Sequence, residues 1–189
     1  MEGFWIALFL IFVAEMGDKT QLVALTLATR FNFRVVLAGV LVATLLVHAF
    51  SVLLGEITGK LLPPGWLQIL CGLAFVGFGL WTLRGDTAED RNGRLNRLKS
   101  PFLIVGVTFF LAELGDKTML STVTLAAQYS PVQVWLGSSL GMVISDGLAI
   151  WVGQALGRHL PERAIQIGAA AIFFAVGIYY ALQGMALLR

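Results

Sequence analysis

The chain has 189 residues, is 58% hydrophobic and only 13% charged, and has a mean hydropathy of +0.84, more apolar than a soluble domain of this length tolerates. A formal net charge of +2 without long basic runs or basic–aromatic stripes excludes a nucleic-acid partner. The single Cys71, alone in an apolar run, excludes an intramolecular disulfide and a CxxC metal knuckle, which leaves an all-α integral membrane protein with the lipid bilayer as its first partner.

The N-terminal stretch MEGFWIALFLIFVA lacks the basic region of a secretory signal and runs on too long for its apolar core, so it reads as a retained first span. A window of about 20 apolar residues, the length a helix needs to cross the hydrocarbon, finds six candidates, at roughly 3–29, 35–61, 66–83, 102–127, 132–157 and 164–187. Breakers separate them: Asn32 and Arg34, Pro63-Pro64-Gly65, the polar stretch from Arg84 to Ser100, Ser130-Pro131, and Arg158 to Arg163 with Pro161. Only the third is long and charged enough to be a solvated linker. The expected organisation is a three-helix unit over 1–84, a linker over 85–100 and a second three-helix unit over 101–189. Gly55 with Gly59 and Gly153 with Gly157 form small-xxx-small faces for close helix packing. Trp5, Trp66, Trp81 and Tyr129 fall near span ends, as in an interfacial belt. Glu56 and Gln154, also near span ends, read as vestibule or surface residues.

The first span carries Glu15-Met16-Gly17-Asp18-Lys19-Thr20-Gln21, and the fourth carries Glu113-Leu114-Gly115-Asp116-Lys117-Thr118-Met119, at an offset of 98 residues (113 − 15). The same offset pairs Gly39 with Gly137, Gly55 with Gly153, Pro63 with Pro161, Gln68-Ile69 with Gln166-Ile167 and Gly79 with Gly177. Matched glycines, prolines and charges in one register imply duplication, not chance likeness between apolar helices. Three spans is an odd number, so the second unit is expected to cross in the opposite sense, as two inverted repeats with a site near mid-membrane. Nine of the 13 basic residues, Arg30, Arg34, Arg84, Arg91, Arg94, Arg97, Lys99, Arg158 and Arg163, then fall on the linker face, with Lys60 and Arg189 opposite. The positive-inside rule makes the linker cytoplasmic and puts both termini outside.

Glu15 lies about twelve residues into its span, close to the bilayer centre, and Glu113 is equally deep. On an unbroken helix Glu15 and Asp18, like Glu113 and Asp116, share a face. Acids there cost several kcal/mol each if they face lipid, so they are expected to meet one another, water or a cation. Gly17 and Gly115 permit either close helix approach or a local break that frees carbonyl oxygens. Thr20 and Thr118 add hydroxyls and Gln21 an amide oxygen. Hard oxygen ligands suit Mg²⁺, Ca²⁺ or Mn²⁺, and four carboxylates against Lys19 and Lys117 leave a formal charge of −2, one divalent cation or two protons. The competing structural reading makes Glu15–Lys19 and Glu113–Lys117 plain i,i+4 ion pairs. That reading leaves Asp18 and Asp116 unexplained. His48 and Asp146, also 98 positions apart, are candidates for a proton relay or an outer ligand.

The doubled E-x-G-D-K-T in a six-span chain resembles the family of Golgi and bacterial manganese or calcium transporters marked by two E-φ-G-D-[KR]-[ST] motifs, within the lysine-exporter superfamily. The resemblance covers nearly the whole chain. It implies exchange of Mn²⁺ or Ca²⁺ for protons, with Mn²⁺ exported in bacterial members, and it makes Glu15, Asp18, Glu113 and Asp116, with Gln21, the metal-binding set. Lys19, Lys117, Thr20, Thr118, His48 and Asp146 would support proton coupling. Met119 departs from the pattern at the position of Gln21. No cofactor is expected, since metal and protons are cargo. A monomer suffices for the site, homo-oligomers are left open, and the expected location is a bacterial inner (plasma) membrane. The alternatives are efflux of a small organic cation or amino acid, and a membrane scaffold. An enzyme is not indicated, because no nucleophile stands with a His and base in a recognisable arrangement.

Overall fold

The first apolar stretch does not continue as one helix. Helix α1 (Glu2–Glu15) stops at the motif and α2 (Lys19–Arg30) starts after a three-residue gap; α5 (Pro101–Glu113) and α6 (Lys117–Ala126) repeat this in the second half. The remaining helices are α3 (Phe33–Leu61), α4 (Pro64–Arg84), α7 (Pro131–Leu156) and α8 (Glu162–Leu187). This computed structural model describes residues 1–84, 100–156 and 162–188, apart from the side chains of Lys19, Leu22, Glu162 and residues 153–156. The linker residues 85–99, Gly157, Arg158 and Pro161 therefore lie outside the described residues, as does the side chain of Gln154. The described residues are helices and short turns, with no strand.

Local chemistry sets the boundaries. Asn32 caps α3, its side chain accepting from the Arg34 N–H at 2.9 Å. The helix ends at Leu61 because Leu62, preceding Pro63, is held extended. Pro64, Pro101 and Pro131 each open a helix, where a missing N–H leaves no partner unsatisfied.

Four helices are long and apolar enough to cross a membrane: α3, α4, α7 over Pro131–Val152 and α8 over Arg163–Leu187. Leu46, Phe50, Leu53 and Ile57 expose one face of α3, and Ile178, Leu182 and Met185 one face of α8. Water would penalise apolar faces of this extent, whereas lipid matches them. The chain is an integral membrane protein.

Helix packing follows the duplication. α1 packs on α7 as α5 packs on α3, and α2 meets α7 as α6 meets α3, while α3 crosses α7 and α4 crosses α8, each against its own counterpart. At the α3–α7 crossing the Thr44 hydroxyl donates to Met142 Sδ at 3.3 Å, joining two residues that are 98 positions apart. The α4–α8 pair is the most intimate. A Cβ on Gly72 would lie 2.7 Å from both Gly177 O and Ala181 N, so these backbones touch where only glycine fits. Gly55 and Gly59 likewise bring α3 against Ala126 and Ala127 at the end of α6. Two apolar clusters complete the core, one around Phe75, Phe78, Phe173 and Tyr180, the other around Val36, Val40, Val105, Phe109 and Ile150.

Candidate functional site

Each motif folds as a tight turn that interrupts its helix. Met16 (φ −61°, ψ 122°) and Gly17 (φ 74°) are the central residues of a type II β-turn closed by Asp18 N–H donating to Glu15 O at 3.0 Å. Leu114 (φ −64°, ψ 114°) and Gly115 (φ 80°) repeat it, with Asp116 N–H donating to Glu113 O at 3.2 Å. The third position of such a turn requires positive φ, which is why glycine precedes the aspartate in both copies. In a continuous helix the N–H groups of Gly17 and Asp18 would bond the carbonyls of Val13 and Ala14. Here Gly17 N–H donates instead to Gln21 Oε1 at 2.9 Å, and Gly115 N–H to Met119 Sδ at 3.2 Å. The last carbonyls of α1 and α5 thereby lose their helical donors deep in an apolar segment.

The acids gather around these turns. Glu15 and Glu113 are fully buried, Asp18 and Asp116 almost so, and Asp18 and Asp116 stand at the N-caps of α2 and α6. The Thr20 hydroxyl donates to Glu15 Oε1 and lies 3.1 Å from Asp18 Oδ2; the Thr118 hydroxyl donates to Glu113 Oε2 at 2.7 Å. Lys117 Nζ donates to Asp18 Oδ1 at 2.6 Å, with both side chains buried, so the ammonium of one copy engages the carboxylate of the other. The competing structural reading pairs Lys117 with Glu113 at i,i+4, a register that needs a continuous helix. The turn at Gly115 ends the helix between them and places Lys117 at the start of α6, out of helical register with Glu113. The same break replaces the shared helix face expected of Glu15 and Asp18, which the turn and the bridging Thr20 hydroxyl hold together instead. The Lys19 side chain lies outside the described residues.

α7 brings in Asp146, fully buried and within electrostatic range of Glu15, Asp18 and Glu113. Its neighbour Ser145 receives the Gln21 amide N–H at 2.8 Å on Oγ and at 3.3 Å on its carbonyl. His48, the repeat counterpart of Asp146, is also buried, but its Nδ1 faces Ser139 Oγ at 3.3 Å. Glu15 Oε2, Glu113 Oε1 and both oxygens of Asp146 have no hydrogen-bond partner among the described residues. Among those residues no three Asp, Glu, His or Cys side chains are grouped closely enough to hold a metal ion together. Asp18, engaged by Lys117, faces the ammonium in this arrangement.

Sequence reasoning located the acids but passed over Ser145 and over Met119 as the partner of the Gly115 N–H. The first gives no signal beyond adjacency to Asp146; the second stood in view as the counterpart of Gln21.

The family described as "Divalent cation/proton antiporter GDT1" matches residues 3–90 and 101–187, one stretch in each half. A protein of Vibrio cholerae named "Putative manganese exporter" is 31% identical over 169 residues, covering 88% of this chain and 84% of its own length. "GDT1-like protein 5" of Arabidopsis thaliana is 29% identical over 216 residues, covering 94% of each chain. No solved structure matches the chain. The chain belongs to the GDT1 family of divalent cation/proton antiporters, which are transporters and not enzymes.

Proposed function

We propose that this protein exports a divalent cation, Mn²⁺ before Ca²⁺, from the cytoplasm in exchange for protons, through a mid-membrane site shared by its two copies. The observation that carries this is the set of four buried carboxylate oxygens without partners, on Glu15, Glu113 and Asp146. Such oxygens are costly in an apolar interior unless a proton or a cation satisfies them. Glu15, Asp18, Glu113 and Asp116, with Gln21 and the carbonyls released at the helix breaks, form the ligand set. Asp146 adds a fifth carboxyl, and Thr20 and Thr118 orient the glutamates. His48 has a lesser role, as a polar neighbour of Ser139. The preference for Mn²⁺ leans on the name of the Vibrio relative, since oxygen ligands alone accept either ion.

The topology that fits is six spans in two inverted repeats. At 1.5 Å per residue α1 with α2 reach about 39 Å end to end and α5 with α6 about 35 Å, enough for a core of about 30 Å. Each pair then makes one broken span, and the excess of arginine on the linker face makes that face cytoplasmic in a bacterial plasma membrane, with both termini outside. Exchange follows from competition, because a protonated carboxyl is a poor ligand and a metal-bound one cannot hold a proton. Rocking of one repeat against the other exposes the site to each side in turn.

The test is flux in proteoliposomes under an imposed pH gradient. Proton-driven Mn²⁺ transport is expected in the wild type and to fall at least about tenfold in Glu15→Gln and in Glu113→Gln. Full flux in both variants refutes the shared site, and a flux of amino acids or organic cations in place of metal refutes the cargo.

A further inference from the structure

A cavity of about 290 Å³ lies at the far end of α6 from the motif, lined by Gln68, Gln128, Tyr129, Tyr180 and Gln183 among others. Gln68 Oε1 has no hydrogen-bond partner among the described residues. From Thr118 to this cavity, about 15 Å along the helix, α6 presents one buried face bearing Thr118, Ser121, Thr122 and Leu125. Ser121 is fully buried and its hydroxyl has no partner among the described residues, while the Thr122 hydroxyl turns back to Thr118 O at 2.9 Å. The duplication supplies an internal comparison. At the positions of Ser121, Thr122 and Gln128 the first copy has Val23, Ala24 and Arg30. Helix packing at these positions therefore does not require hydroxyls, and burying an unpaired one disfavours the fold. Their presence in one copy alone calls for a use.

We propose that the cavity and the hydroxyl face of α6 form the outer route of the carrier, along which a divalent cation leaves the carboxylate site and regains its water. This rests on the reading of cargo and sidedness given under Proposed function. Oxygen atoms spaced a helical turn apart replace hydration stepwise, which a hard cation requires and an apolar face cannot provide. Leu125 and Tyr180 both belong to the apolar cluster around Phe75, and the Tyr129 hydroxyl, in the turn after α6, bonds that of Tyr180 on α8 at 2.7 Å. Outward opening parts these groups and joins the cavity to Thr118.

The experiment uses the full chain in proteoliposomes. Ser121→Val with Thr122→Ala, which installs the side chains of the first copy, is expected to lower proton-driven Mn²⁺ flux about tenfold and to leave equilibrium Mn²⁺ binding within about twofold of wild type. Full flux in this double variant overturns the route. In a Cys71→Ala background, a membrane-impermeant cationic thiol reagent added on the side of the termini is expected to modify Ser121→Cys about fivefold faster during turnover than at rest and to spare Val23→Cys. Equal modification of the two cysteines overturns it independently of any packing defect. Glu15→Gln separates the two readings: full flux there refutes the carboxylate site, whereas full flux only in the α6 variant refutes the route alone.

Discussion

Gly17 and Gly115 hold φ values of 74° and 80°, the sole positive φ angles among the described residues, and both precede an aspartate at a helix N-cap. A Cβ on Gly115 would meet nothing within 4 Å, so Gly115→Ala tests backbone conformation without a steric clash. Forcing alanine into this region costs about 1–2 kcal/mol, a drop in Tm of about 2–8 °C for a chain of this size. The strain is relieved if the helix re-forms through the motif, which removes the turn and re-satisfies the Leu111 and Ala112 carbonyls. Transport in Gly115→Ala is therefore expected to fall by more than the loss of folded protein accounts for. Thermal unfolding in detergent beside flux per folded molecule checks it, and unchanged values of both would mean that the carrier does not use the turn.

Among the elements, α4 and α8 contribute no acid to the site yet pack most closely, through glycine on both sides. A Cβ on Gly177 would lie 2.8 Å from Gly72 O and 2.9 Å from Val76 N, backbone atoms that cannot swing away as a side chain can. Gly177→Val is expected to destabilise the fold by about 1–3 kcal/mol through overpacking while the folded fraction keeps wild-type Mn²⁺ affinity, read by denaturation and by metal binding on the same sample. A loss of affinity at unchanged stability would place α8 in the site. Helix limits were legible in the sequence wherever a local agent sets them, as at Asn32, Pro64 and Pro131. The burial of Glu15, Asp18, Glu113 and Asp116 was legible too, because acids in an apolar span cannot face lipid cheaply. The break itself was not decided, since glycine between two acids serves close packing as well as a turn. The competing i,i+4 reading of Glu113 and Lys117 meets the same obstacle: that register presumes a continuous helix, and one residue at φ 80° abolishes it. Ser145 carried no signal because hydroxyls are ordinary inside spans, and Ser121 and Thr122 stand out beside Val23 and Ala24 of the first copy only once their burial is known.

For the whole molecule, the ion pair between Lys117 and Asp18 spans the two copies, at 2.6 Å and out of solvent. A cation that binds Asp18 must part them, and when it leaves the ammonium is the charge at hand to take its place. On the proposed function, Lys117 ties occupancy of the site to the relative position of the two copies. Removing the ammonium takes from Asp18 the counter-charge that it has among the described residues, which on the proposed function penalises the return of the unloaded carrier but not the crossing of the loaded one. Lys117→Gln is expected to retain Mn²⁺/Mn²⁺ exchange within about threefold of wild type while net proton-driven Mn²⁺ flux falls about tenfold or more. Lys117→Arg, which keeps the charge, is expected to recover part of the net flux. A lysine that only fastens the helices together predicts a different result, with exchange and net flux declining in parallel, and isotope exchange measured beside gradient-driven flux in one set of proteoliposomes decides between them.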